Sequence, residues 1–218
     1  MNITHVKEIT CEGDRLEFIF QRQHELMGKY LPIEKRSGLL QTEDCPVNLD
    51  SRKGQARIKD FAWRIMEEVG EALDSLVVDE DIVHYKEELV DGLHFLVELT
   101  ILSGMSTDDI VPEENRLMYG DKLVTLVFFD YDKVNSRVER IGYHAELIRL
   151  LGMACNCLKN KPWKQTMMVT DKVRYKSYIK EFWNVYIKLL SEYMDSEEIF
   201  QTYFKKSEVN KFRQRSNY

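Results

Sequence analysis

Along most of the chain, apolar residues return every three to four positions, the period of an amphipathic helix. Leu16, Ile19, Phe20, Leu26 and Met27 carry the first such stripe between Glu12 and Tyr30. Pro32 is expected to close it, because a proline inside a helix removes a hydrogen bond. Ser37 to Gly54 interrupts the pattern with Gly38, Asp44, Pro46, Asn48 and Asp50, and reads as a surface loop. Ile58, Phe61, Ile65, Met66, Val69, Leu73 and Leu76 restore the stripe from Gln55 to Val78. Asp81 to Ser103 repeats it with Val83, Leu89, Val90, Leu93, Phe95, Leu96, Leu99 and Leu102. The acidic connection between these two segments is short, which predicts an antiparallel helical hairpin. Gly104 ends the second segment, and Ser106 with Asp109 has the spacing of a capping box.

Asp108 to Asp132 is the least regular stretch. Leu123 to Phe129 is short enough for a strand or a buried helical turn, and helix is the preferred reading. Asn135 to Leu158 predicts another helix through Val138, Ile141, Leu147, Ile148, Leu151 and Met153, stopped by Lys161-Pro162. Thr170 to Tyr193 follows through Val173, Tyr178, Phe182, Val185, Ile187 and Leu190, and a last helix starts near Ser196 with Ile199, Phe200, Tyr203 and Phe204. The sum is an all-α helical bundle of about five to seven helices. With 218 residues and 25.9 kDa, a single domain spanning residues 1–218 is expected.

Composition narrows the function. Hydrophobic residues at 44% and charged residues at 31%, with 10 Gly and 4 Pro, exclude a disordered or fibrous chain. The net charge of -6 argues against direct nucleic-acid binding. An acidic chain that handles phosphates needs a local cation, such as a metal. Met1 to Phe20 is broken by charges and does not resemble a signal peptide. Leu123 to Phe129, the longest apolar run, falls far below the ~20 residues of a membrane helix. The expected location is the cytoplasm, away from membranes. Cys11, Cys45, Cys155 and Cys157 lack the spacing of a zinc site and read as buried free thiols.

The chemistry concentrates in Met66-Glu67-Glu68-Val69-Gly70-Glu71 and Glu87-Glu88-Leu89-Val90-Asp91-Gly92-Leu93-His94. Residues three apart share a helix face, so Glu68 converges with Glu71, and Glu88 with Asp91. Paired antiparallel, the two helices aim four carboxylates into one cleft. Like charges in an apolar groove repel unless a cation joins them, and an all-oxygen ligand set suits Mg²⁺ or Mn²⁺ rather than zinc. The alternative at this level is a pair of solvated acidic faces. Toward the C-terminus, Lys206, Asn210 and Arg213 fall at i, i+4 and i+7, a stripe able to grip a polyphosphate; a basic solvated tail is the alternative.

These motifs carry a resemblance. Glu67-Glu68-x-x-Glu71, sixteen residues, then Glu88-x-x-Asp91 is similar to the metal motif of the all-α nucleoside triphosphate pyrophosphatases, which include MazG-like enzymes and dimeric dUTPases. Asp91-Gly-Leu-His-Phe95 and Tyr203-x-x-Lys206-x-x-x-Asn210-x-x-Arg213-Gln214-x-x-x-Tyr218 resemble the dimeric dUTPase branch, including its phage dCTPase/dUTPase relatives. The resemblance implies a homodimeric enzyme in which Glu68, Glu71, Glu88 and Asp91 hold Mg²⁺. Glu68 would also orient or deprotonate the attacking water, helped by Glu67. Lys206, Asn210 and Arg213 would bind the phosphates and Tyr218 would close over the nucleotide. Gln21, with Gln23 as an alternative, would read the base. His24, Ser207 and Asn217 depart from the family pattern, which leaves dCTP open beside dUTP as the substrate. The implied reaction yields a deoxynucleoside monophosphate and pyrophosphate.

His94 shares the helix face of Asp91 and reads either as a base or sugar contact or as a satisfied core histidine. Trp163 reads as a packed anchor at a helix break, and Trp63 as a core or dimer contact. The Tyr-rich helix from Tyr175 to Tyr193 reads as a packing face. Two rivals remain: a MazG-like hydrolase of other nucleotides, and a non-catalytic helical protein-binding module.

Overall fold

The computed structural model describes residues 8–111, 119–128 and 136–215, with backbone alone for 212–215. Every regular element among them is helical. Helix α1, Arg15–Ser37, starts where the Asp14 side chain accepts from the Leu16 and Glu17 amides, and ends at Gly38 with φ 73°. Pro32 does not close it. Its ring leaves the Gly28 carbonyl without a helical donor, but both residues lie on the exposed side, where water can satisfy that carbonyl. The extra turn brings Glu34 to Arg57 at 2.7 Å.

Helix α2, Arg52–Asp74, is capped by Ser51 and runs on into a wider π-turn at Ser75–Asp79. Glu80 reverses the chain with φ 53° and Asp81 caps α3, Ile82–Leu102. The expected hairpin is therefore present. Helix α4, Thr107–Ile110, opens on the expected Ser106–Asp109 capping box. The ambiguous segment is helical over α5, Lys122–Phe128, where the Asp121 carboxylate accepts from the Leu123 and Val124 amides. Helices α6, Arg137–Cys157, α7, Lys172–Ser191, and α8, Ser196–Arg215, complete the described residues. Helix α6 ends at Cys157, ahead of the Lys161-Pro162 step.

A continuous core runs from Leu16 on α1 to Phe204 on α8. Helix α7 fills its centre with Tyr175, Phe182, Trp183 and Tyr186, as the packing-face reading of its tyrosines expected. Buried polar groups there are paired: Trp183 Nε1 donates to Thr100 Oγ1 at 2.9 Å, and Ser103 and Tyr175 join hydroxyls at 2.7 Å.

Several side chains take other positions than expected. On α6, Val138, Ile141 and Ile148 face outward, while His144, Leu147, Leu150, Leu151 and Ala154 face the core. Apolar residues occupy both sides of this helix, so the period alone does not choose the buried one. Trp163 is 77% exposed rather than a packed anchor, and Trp63 is 66% exposed, which removes the core half of its core-or-dimer reading. The cysteines are free, but only Cys157 is buried and Cys45 is exposed. Among the described residues no helix is long and apolar enough to cross a membrane.

Candidate active site

The antiparallel pairing of α2 and α3 sets Glu68 and Glu71 opposite Glu88, with one carboxylate oxygen of each lying within 4.8 Å of the others. Burial pushes the Glu68 carboxyl up to about 8, reinforced by its hydrogen bond to Glu88 and by the charges of Asp91, Glu88 and Glu71. Burial and the crowding of acids thus favour the protonated form of the Glu68 carboxyl. Burial also raises Glu88, although that bond and His84 oppose the rise. His84, one turn earlier on α3, places Nδ1 2.9 Å from Glu88 Oε1.

Asp91 lies one turn beyond Glu88 and meets Lys206 of α8, Nζ to Oδ2, at 2.5 Å. The phosphate-binding stripe expected on α8 thus reaches the carboxylates through its first member. Asn210 follows one turn later, half-buried. Arg213 continues the helical backbone, while its side chain and Tyr218 lie outside the described residues.

Glycine at position 92 permits the close approach. A β-carbon there would stand only 2.2 Å from the Tyr186 hydroxyl and 3.2 Å from Glu68 Cβ. Tyr186, buried on α7, donates its hydroxyl to the Leu89 carbonyl at 2.7 Å, between the two acids of α3. On the open side, a cleft of about 600 Å³ is lined by Trp63, Met66, Glu67, Glu71 and His84. Glu67 is exposed on this cleft and accepts from Trp63 Nε1 at 2.9 Å.

The residues expected at the base end are placed differently. Gln21 is exposed, whereas Gln23 is buried. The Gln23 amide meets His94 Nδ1 at 3.2 Å, the Tyr203 hydroxyl at 2.7 Å and Glu98 at 2.8 Å. His94 is stacked on the Tyr203 ring at 3.8 Å and its Nε2 meets the Tyr203 carbonyl at 3.2 Å. It is a core histidine with both ring nitrogens occupied. The hydrophobic stripe of α1 held the signal for Gln23, since Ile19, Phe20, Gln23 and Leu26 share one face. His84, four residues before Glu88, was likewise legible from helix spacing. Tyr186 and Glu98 carried no local signal.

The arrangement gathers carboxylate oxygens where α2 and α3 pair, with one amine held by Asp91 a turn away, groups that metal-assisted hydrolysis of a phosphate ester or anhydride can use. No curated protein and no solved structure gives a match to the chain. The family model described as dUTPase matches residues 59–218, a segment that includes all four carboxylates and Lys206 and leaves α1 outside. The chain accordingly belongs to the dUTPase family of all-α type, and is a dUTP diphosphatase-like hydrolase of nucleotide metabolism.

Proposed function

We propose that the chain hydrolyses dUTP to dUMP and pyrophosphate in a Mg²⁺-dependent reaction, with Mn²⁺ able to substitute. Residues 1–218 act as one catalytic domain, working as a cytoplasmic homodimer. The observation that carries this reading is the meeting of Glu68, Glu71 and Glu88 across two helices, with Asp91 one turn away. The donor set is all oxygen, and burial followed by the neighbouring acids raises the Glu68 carboxyl, a cost that a bound dication would offset. Glu68, Glu71, Glu88 and Asp91 would hold the ion, and when bound it would neutralise phosphate charge and acidify water.

The chain's own groups do the rest. Glu68 orients the water and takes its proton as the water oxygen bonds to the α-phosphorus, with Glu67 beside it on the cleft. The bridging oxygen keeps the electron pair of the broken α–β bond and leaves with pyrophosphate. Lys206 and Asn210 on α8 face the phosphates with Arg213, and Tyr218 closes over the nucleotide. Lys206 exchanges Asp91 for a phosphate oxygen as the nucleotide enters. The exposed Trp63, Val78 and Val83 of the hairpin offer apolar surface to a second copy, which light scattering on the purified chain would register as a doubled mass.

Departures from the family pattern at His24, Ser207 and Asn217 keep dCTP as the second substrate. Pyrophosphate release from dUTP, dCTP, dTTP, dATP, dGTP and UTP, with Mg²⁺ and with EDTA, tests the reading. Release confined to dUTP, or to dUTP and dCTP, and abolished by EDTA is expected. Release from purine nucleotides would favour the MazG-like rival, and none from any nucleotide the binding module.

A further inference from the structure

His84 stands on the wall of the cleft beside Glu71, and the reaction above gives it no part. Its backbone is pinned in the first turn of α3, where the Asp81 carboxylate accepts from the Val83 and His84 amides at 2.9 and 3.1 Å. From there the ring reaches forward one turn and sets Nδ1 2.9 Å from Glu88 Oε1. Glu88 is buried, whereas 47% of the His84 side chain is exposed. A ring on the solvent side thus holds a carboxylate on the inside.

Helix stability does not account for an imidazole at this position. The first turn of a helix favours acidic side chains, because its free amides carry partial positive charge, and a charged histidine there is unfavourable. An i, i+4 pair on a helix surface adds only about 0.2–0.5 kcal/mol. Core packing does not account for it either, since the ring is half in solvent.

Orientation of Glu88 does. Two groups hydrogen-bond its carboxylate, the Glu68 carboxyl and His84. The bond to Glu68 needs a proton between two acids, and a cation that gathers both carboxylates expels that proton. The bond to His84 needs no such proton, because a ring facing a carboxylate presents N–H at Nδ1 whether it is neutral or charged. It is therefore the bond that survives when a cation enters. His84 lies outside the group formed by Glu68, Glu71 and Glu88, so it acts on Glu88 and not as a fourth member.

We propose that His84 is a positioning residue: its Nδ1–H holds the Glu88 carboxylate in the orientation that faces Glu68 and Glu71, ready for the dication. This role rests on the metal reading of the four acids.

Calorimetric titration of Mg²⁺ into the full chain, without nucleotide and at one fixed pH, tests it in the parent, His84→Leu and His84→Asn. Asparagine places an amide N–H close to where Nδ1 stands, and leucine has no donor. His84→Leu is expected to bind Mg²⁺ ~10-fold more weakly, the scale of a lost hydrogen bond behind a metal ligand, with its melting temperature unchanged. His84→Asn is expected to recover most of the parent's affinity. A leucine variant that binds as tightly as the parent would overturn the role, and so would an asparagine variant no better than leucine. A ring that acts only as a neighbouring positive charge would give the opposite sign, tighter binding in both variants, and would overturn it too. These three outcomes leave the metal reading standing, whereas a parent that takes up no Mg²⁺ would overturn both.

Discussion

The Tyr186 hydroxyl lies 2.2 Å from where a β-carbon on Gly92 would stand, so helix α7 reaches α3 beside the carboxylates only because that residue is glycine. Gly92→Ala is expected to destabilise the chain by about 1–3 kcal/mol through overpacking. Tyr186→Phe is expected to cost about 1 kcal/mol for the lost bond to the Leu89 carbonyl. The two changes relieve each other, so the double variant should lose less than the sum. Denaturant unfolding of all four proteins measures this coupling.

Glu71 is exposed and makes little of the core, yet it completes the oxygen cluster. Glu71→Gln should lower kcat/KM for dUTP by on the order of 100-fold or more while leaving the melting temperature unchanged or raised, since one like charge is gone. Steady-state assays over a Mg²⁺ series, paired with thermal unfolding, test both halves. Unchanged turnover would remove the cluster from the mechanism.

Lys206 neutralises Asp91 across α3 and α8. Lys206→Met should raise KM for dUTP by about 10-fold, the effect of one lost charged contact in a screened site. Mg²⁺ binding measured by calorimetry without nucleotide should tighten in the same variant, because Asp91 is released from its amine.

Glu98 gives stability a defined pH dependence. Its carboxyl is raised to about 7 in the folded chain from an ordinary 4.5, so the folded state binds the proton more tightly. The sign follows: this contribution is complete below about 4.5 and is lost as pH rises through about 7, on the order of 3 kcal/mol in all. Glu98→Gln should remove that loss. The difference in melting temperature between Glu98→Gln and the parent is therefore expected to grow from pH 5 to pH 8 in favour of the variant.

The spacing of Glu68, Glu71, Glu88 and Asp91 was readable because helix geometry is local: three residues return to one face wherever the helix lies. The hairpin was readable because its connection is short. The rotation of α1 was only half readable. Its buried stripe passes through Gln23, but a polar residue on an apolar face looks like a break until Glu98, His94 and Tyr203 arrive from elsewhere to satisfy it. Pro32 misled for a related reason, because a helix can run through a proline where water replaces the lost hydrogen bond on its exposed side. Trp163 was read as a packed anchor from its place at a helix break and Trp63 as a core or dimer contact, and the surroundings that decide exposure come from distant segments. Tyr186 lies 97 residues from the carbonyl it holds, beyond the reach of any local pattern.

The contact between Asp91 and Lys206 spans 115 residues of chain, whereas the carboxylates themselves sit on consecutive helices. The acidic hairpin can thus form early in synthesis, from local contacts, while its lysine is still unmade. Newly made chains should pass through a stage at which the acids already face one another with only dissolved cations to balance them. Assembly of the catalytic surface is then completed by the last helix to leave the ribosome among those described, so a chain interrupted before α8 would possess the carboxylates without the grip on phosphate.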